Sequence, residues 1–243
     1  MDKMSSRNNI GFLLIHGFTG THYEMQPLAE FLLQEGYIIE NITLPGHETS
    51  EEDLMTKKWT DFTDFAQKEL DKLKEKCEKV FVCGLSMGGA ITLYLGAKNP
   101  DINGIIPMAA VCKPPDWRMY LLAIPFAHLI YPMYRSEESG WEDLEALKTH
   151  KSYENYPIKA VSQLYYMIRK VKKLTKNITV PILVVYSKKD PSVPRKQAMW
   201  IFNNVKSKDK EVQEIDKGGH VIPKDAGRVQ LFKSVKKWVE NRT

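Results

Sequence analysis

Residues 80–96 of the 243-residue chain read VFVCGLSMGGAITLYLG. Ser86 stands there with Gly84 two places before it and Gly88 two places after, in a G-x-S-x-G pattern, between an apolar strand-like run and the start of a helical spacing. A sharp strand-to-helix turn around a residue with a Cβ crowds the backbone, so its flanks need glycine. Such a turn lifts the hydroxyl clear of the sheet and leaves it at a helix N-terminus, where backbone N–H groups and the helix dipole favour a developing oxyanion. These features suit a serine nucleophile. A glycine-rich turn whose serine only caps the helix is the plainer alternative.

A serine hydroxyl needs a base, and the base needs an acid to orient it. Of six histidines, His220 stands in IDKGGHVIP, after a strand-like run and before the last helical segment, with Gly218 and Gly219 as a flexible approach. His128 and His150 fall in an irregular middle region, His22 opens a helix, and His16 and His47 adjoin glycines in loops. His220 is the favoured base, against the reading of a surface-loop histidine. For the acid, Asp190 ends ILVVYSKKD with Pro191 and Pro194 stiffening the loop behind it. Asp216, beside the histidine loop, is its rival, while Asp209 and Asp225 read as turn and cap residues. The order Ser86, Asp190, His220 is that of groups carried on successive strand ends. A second oxyanion donor is expected from LLIHGFTGTH, where Gly17 and Gly20 let the backbone approach a substrate. Phe18 N–H and Met87 N–H form the expected pair, against a plain glycine turn.

These residues must be held by a scaffold, and the sequence outlines one. Continuous apolar runs recur at Ile10–Ile15, Tyr37–Ile42, Val80–Cys83, Gly104–Val111, Val180–Tyr186 and Glu211–Ile215, as in a parallel sheet covered on both faces. Helical spacing lies between them, clearest in Trp59–Cys77, where Phe62, Ala66, Leu70, Leu73 and Cys77 share a face. Pro27–Leu33 and Val229–Val239 behave similarly. The alternation predicts an α/β, mostly parallel, doubly wound sheet with ligands beyond the carboxyl ends of its strands. It fails from Pro114 to Lys176, a proline-punctuated stretch without a good strand, which reads as a small helical cap inserted between two strands. The core is therefore expected at 1–113 and 177–243, with the cap or lid at 114–176.

Composition narrows the partners. The net charge is +5, with no basic motif interleaved with aromatics, so no nucleic-acid partner is expected. Cys77, Cys83 and Cys112 lack metal-type spacing and read as buried free thiols, which points to a reducing, cytoplasmic setting. The N-terminal apolar run is too short for a signal peptide, and Met119–Tyr134 is broken by Pro125, His128 and Pro132 and too short to span a bilayer.

The blocks HGFTGTHYEMQPLAEFLLQEGY, LPGHE, GLSMGGAITLYLGAKNPDINGIIPMAA, DPSVP and GGHVIP together resemble the α/β-hydrolase superfamily, and within it the small bacterial carboxylesterases and monoacylglycerol lipases. The resemblance covers Gly11–Val111 and Val180–Val239. It implies Ser86 as nucleophile, Asp190 as acid, His220 as base and Phe18 with Met87 as oxyanion donors, with no metal or organic cofactor. The chain departs from the group at Gly46-His47-Glu48, where Gly-His-Gly is usual, and in the cap. Near the cap glutamate that contacts the glycerol head in those lipases this chain has His150, with Glu145 and Glu154 close by, so His150 and Glu154 are candidate substrate contacts. The stretch DWRMYLLAIPFAHLIYPMY has the aliphatic and aromatic surface of an acyl pocket, with Met119 and Met133 as adaptable lining. The basic run Arg169–Lys176 reads as a solvated helix face or as a weak contact for anionic lipid. The expectation is a serine hydrolase of small-molecule carboxylic esters with a lipophilic acyl group, monoacylglycerols or short-to-medium-chain esters. An aryl-ester (cinnamoyl or feruloyl) esterase and a slowly turning ligand-binding protein on the same scaffold are the rivals.

Overall fold

The computed structural model describes residues 9–113, the backbone of 133–135, and residues 140–243. In chain order its strands are β1 (Ile10–Ile15), β2 (Ile38–Ile42), β3 (Lys79–Leu85), β4 (Gly104–Met108), β5 (Met133–Arg135), β6 (Asn155–Pro157), β7 (Ile182–Ser187) and β8 (Lys210–Ile215). Six of them make one sheet in the order β2-β1-β3-β4-β7-β8, with every neighbouring pair parallel. Strands β1, β4 and β7 are buried along their whole length, whereas the edge strands β2 and β8 are mostly half-buried, which is why the inner strands read as unbroken apolar runs.

The described α-helices are α1 (Gln26–Gln34), α2 (Glu51–Thr56), α3 (Trp59–Lys76), α4 (Met87–Lys98), α5 (Leu144–Lys148), α6 (Ile158–Leu174), α7 (Arg195–Asn204) and α8 (Arg228–Glu240), with short 3-10 turns at His22–Glu24 and Thr175–Asn177. They cover both faces of the sheet, and two adjacent residues of β1 show how. A Cβ on Gly11 would press into Leu73 and Cys77 at the end of α3. Phe12, pointing the opposite way, stacks at 5.5 Å on Phe81 of β3, and that ring meets Trp238 of α8 edge-on at 5.9 Å. Helix α4 is buried on nearly every side, because it lies between the sheet and the helices α3 and α6.

The 114–176 stretch departs from the expectation of a strand-free cap. β5 and β6 pair antiparallel, Tyr134 opposite Tyr156. The apolar face of α6, including Val161, Leu164, Met167, Ile168 and Val171, joins the core cluster and packs on α4 and α3. The helical layer over the sheet thus includes α6, which lies inside the stretch expected to form the cap. The opposite side of α6 carries Arg169, Lys170, Lys172 and Lys173 in solvent. Among the described residues no helix is long and apolar enough to cross a membrane.

Because the six strands are parallel, the loops leaving β1, β3, β7 and β8 open at one rim. Those four loops carry Phe18, Ser86, Asp190 and His220.

Candidate active site

Ser86 alone joins β3 to α4, with φ 55° and ψ −110°. A side chain held at such a φ costs about 1–3 kcal/mol, and its neighbours must make room. A Cβ on Gly84 would collide with the Gly88 carbonyl, and one on Gly88 with the carbonyl oxygens of Ile15 and His16. Bare Gly88 therefore lets the first turn of α4, where Met87 N–H lies, sit against the end of β1 and its following loop. The Ser86 N–H donates to the Met108 carbonyl at 2.9 Å, which anchors the turn to β4.

Across the rim, His220 Nδ1 lies 2.8 Å from Asp190 Oδ2. The Asp190 side chain is wholly shielded from water, and its other oxygen accepts the backbone N–H groups of Ser192 at 2.8 Å and Val193 at 2.9 Å. With Nδ1–H donated to Asp190, Nε2 is left as the proton acceptor. Burial alone would lower the His220 pKa, but the charge and hydrogen bond of Asp190, with a further contribution from Glu24, hold it above the ordinary imidazole value. Asp216, the rival acid, is instead engaged by Gln230, whose amide donates to it at 3.2 Å. Among the described residues no hydrogen bond joins the Ser86 hydroxyl to His220, a contact that commonly tightens only when substrate is bound.

The loop after β1 is held by two buried histidines. His16 Nε2 accepts the Leu44 N–H at 3.0 Å, so its proton is on Nδ1, which donates to the Gly17 carbonyl at 2.8 Å. That bond orients the peptide whose N–H belongs to Phe18. His47 repeats the arrangement: Nε2 accepts Thr19 N–H at 3.3 Å and Nδ1 donates to the Pro45 carbonyl at 3.2 Å. Burial lowers the pKa of His16 to about 3, and of His47 to about 4, so both rings stay neutral. The departure at Glu48 is compensated locally. Its φ is 58°, a conformation easier for glycine, but its carboxylate accepts the His22 backbone N–H at 2.9 Å and the Thr43 hydroxyl at 3.0 Å.

Two groups that sequence reading passed over help build the site. Asp225, expected to be a cap residue, is fully buried and accepts the Gly219 N–H at 2.6 Å, next to His220. Glu24, buried beneath the loop after β1, accepts the Gly17 N–H at 2.7 Å. An acidic residue one turn from a glycine-rich loop is the only trace either leaves in the sequence. Of the substrate-contact candidates, His150 is half-buried with its side chain shielded, its ring 4.9 Å from that of Trp141 and its Nε2 3.8 Å from Glu24 Oε1. Glu154 is exposed. Met119 lies outside the described residues, and of Met133 only the backbone is described. Phe18 is half-buried, edge-on to Tyr156 at 5.4 Å. No group of three or more His, Cys, Asp or Glu suited to a metal ion occurs among the described residues.

Comparison with known proteins places the fold in a family. The model of the serine aminopeptidase S33 family matches residues 9–227. The thermostable monoacylglycerol lipase of Bacillus sp. (strain H-257) is 34% identical over 217 residues, 89% of this chain and 84% of that protein. A carboxylesterase of Bacillus subtilis (strain 168) is 28% identical over 229 residues, 94% of this chain and 91% of that one. A solved structure from the LipS and LipT pair of metagenome-derived lipolytic enzymes superposes with a TM-score of 0.90 at 26% identity, covering 96% of this chain and 94% of that one. The six-stranded parallel sheet, its flanking helices and a family match over most of the chain lead to one conclusion: the protein belongs to the serine aminopeptidase S33 family and is a serine hydrolase with the α/β-hydrolase fold.

Proposed function

We propose that the protein hydrolyses carboxylic esters with a lipophilic acyl group, monoacylglycerols or short-to-medium-chain esters, through Ser86, His220 and Asp190. One observation carries the reading: the 2.8 Å contact of His220 Nδ1 with buried Asp190, on the rim that also bears the Ser86 turn. The lipase and carboxylesterase among its relatives favour an ester over the amide that an aminopeptidase family would suggest.

In this reading Ser86 Oγ attacks the ester carbonyl carbon while its proton passes to His220 Nε2. Asp190 holds the ring in the required tautomer and stabilises the imidazolium. Phe18 N–H and Met87 N–H donate to the oxyanion, each worth about 3–4 kcal/mol in the transition state. Collapse breaks the bond to the alcohol, which leaves with the proton from His220. Water then attacks the acyl-enzyme, giving a proton to His220, and the acid departs as Ser86 regains its hydrogen. The part of the 114–176 insertion that precedes α6 is the proposed source of the acyl contacts, with Met119 and Met133 as its candidate lining. Cys77, Cys83 and Cys112 are free and buried, which supports a reducing compartment and hence the cytoplasm.

Ser86→Ala is expected to abolish turnover of a monoacylglycerol and of a chromogenic ester while leaving the thermal transition in place, and a fluorophosphonate should label the wild type at Ser86 alone. Undiminished turnover in that variant would refute the assignment. Faster turnover of hydroxycinnamate esters than of monoacylglycerols would replace the lipophilic substrate with an aryl one.

A further inference from the structure

Glu24 closes the short 3-10 turn His22–Glu24 and is only 5% exposed. Its Oε2 accepts the Gly17 N–H at 2.7 Å. A Cβ on Gly17 would stand 3.1 Å from that oxygen and 3.6 Å from Ser86 Cβ, so a single glycine separates the carboxylate from the nucleophile turn. A Cβ on Gly20 would collide with the carboxyl group, which therefore packs against bare backbone on both arms of the loop. On its far side, His150 Nε2 is 3.8 Å away.

Taking a carboxylate out of water costs several kcal/mol unless its charge meets partners. A neutral amide would accept the Gly17 N–H as well, so what a carboxylate adds at this position is charge, and the reaction has a use for it. Each turnover places a proton on His220, which the Asp190 carboxylate favours from 2.8 Å, and the Glu24 carboxylate, one glycine away from the Ser86 turn, adds a smaller field of the same sign. Facing Glu24 in turn is His150, and the ammonium of Lys224 is tied at 2.6 Å to the carbonyl of Thr149 beside it.

We propose that Glu24 is a positioning residue of this active site: its carboxylate fixes the peptide next to the Phe18 oxyanion donor, and its charge stabilises the imidazolium that forms on His220. This rests on the assignment of Ser86, His220 and Asp190 given above. Glu24 supports two partners at once, the loop through geometry and the base through its field. The two contributions separate by substitution, because glutamine keeps the acceptor and loses the charge, whereas alanine loses both.

The test is a comparison of wild type, Glu24→Gln and Glu24→Ala in full-length protein, with kcat, KM and the pH profile of kcat/KM on a chromogenic ester. Glu24→Gln is expected to keep KM within about twofold, lower kcat about tenfold and move the acid limb about half a pH unit lower. Glu24→Ala is expected to lose about a hundredfold in kcat. A wild-type profile and kcat in Glu24→Gln, in an enzyme whose wild type labels at Ser86 and dies on Ser86→Ala, would overturn the inference and leave the triad standing. Failure of the wild type to label or turn over would instead overturn the triad, and the inference with it. Should the alanine variant not fold, the near-isosteric glutamine variant decides alone, since loss of structure has no reason to move the acid limb of the surviving enzyme.

Discussion

The carboxylate of Asp225 accepts the backbone N–H of Gly219 at 2.6 Å, one residue before His220. It also accepts the N–H groups of Asp143 at 2.8 Å and of Ala226 at 2.7 Å. One buried side chain thus ties the histidine loop to the segment entering α5 and to the approach to α8. A second tie runs parallel to it, from Gly218 N–H to Glu142 at 2.6 Å, with Lys189 paired to the same carboxylate. Asp225→Ala would leave the buried Gly219 N–H without its acceptor, at about 1–3 kcal/mol, and would release the half-buried N–H groups of Asp143 and Ala226 from the same anchor. We expect a loss of at least that size in urea denaturation, with kcat reduced because the base is no longer held. Asp216→Ala, on the exposed side of the same loop, should stay within about 0.5 kcal/mol of wild type. Equal effects of the two substitutions would rule out the anchoring role.

The pH profile should report the His220–Asp190 contact. A general base must be neutral, and Asp190 with Glu24 favours the charged imidazole against burial. The acid limb of kcat/KM is therefore expected at a midpoint above the ordinary imidazole value of about 6.5. Asp190→Asn removes the charge and the preferred tautomer together, and kcat should drop about 10³–10⁴-fold. An acid limb below pH 6 in the wild type would mean that His220 does not titrate as the base.

His16 and His47 make stability depend on pH in the opposite direction. Both fold as neutral rings, with pKa values lowered by burial to about 3 and about 4, while in the unfolded chain they take a proton near the ordinary value. As pH falls below about 6.5 the unfolded state binds protons that the folded state refuses, so stability is full above that value and is lost progressively toward the folded pKa values. At pH 5 the loss is about 2 kcal/mol for each ring. Denaturant titrations at pH 7 and pH 5 should differ accordingly, and His47→Gln should shrink the difference by about half. A stability unchanged between those pH values would show that the rings are not buried neutral.

What can be read from a sequence depends on how local its cause is. Each inner strand announces itself because burial on both faces demands an unbroken apolar run, and α3 because one face alone is buried. The ends are less plain. The apolar run after Gly104 continues to Val111, but β4 stops at Met108 because Ala109 turns to a φ of 44°. The three-residue strands β5 and β6 are too short for any alternation to show. The Ser86 turn is legible since its glycines are required within two residues of it. The choice of Asp190 over Asp216 is legible only in part, because both follow strands, and it is the folded loop that brings the carboxylate of Asp190 to His220 and leaves Asp216 with Gln230. Glu24 and Asp225 are more opaque still: each acts on backbone N–H groups, which carry no residue identity, and Asp225 reaches across more than eighty positions to do so.

Ser86 offers a last test, of strain rather than of chemistry. Its φ of 55° with ψ of −110° is the mirror image of an ordinary extended conformation, open to glycine and disfavoured for any residue with a Cβ. Alanine at this position keeps the Cβ and the strain, while glycine releases it. The released strain, about 1–3 kcal/mol, exceeds the roughly 1 kcal/mol that glycine gives back through the freedom of the unfolded chain. Ser86→Gly should therefore be inactive yet more stable than Ser86→Ala by about 1 kcal/mol, measured by thermal or urea denaturation. The reverse order would mean that the turn is relaxed with a side chain in place, and that Gly84 and Gly88 serve close packing of the backbone alone.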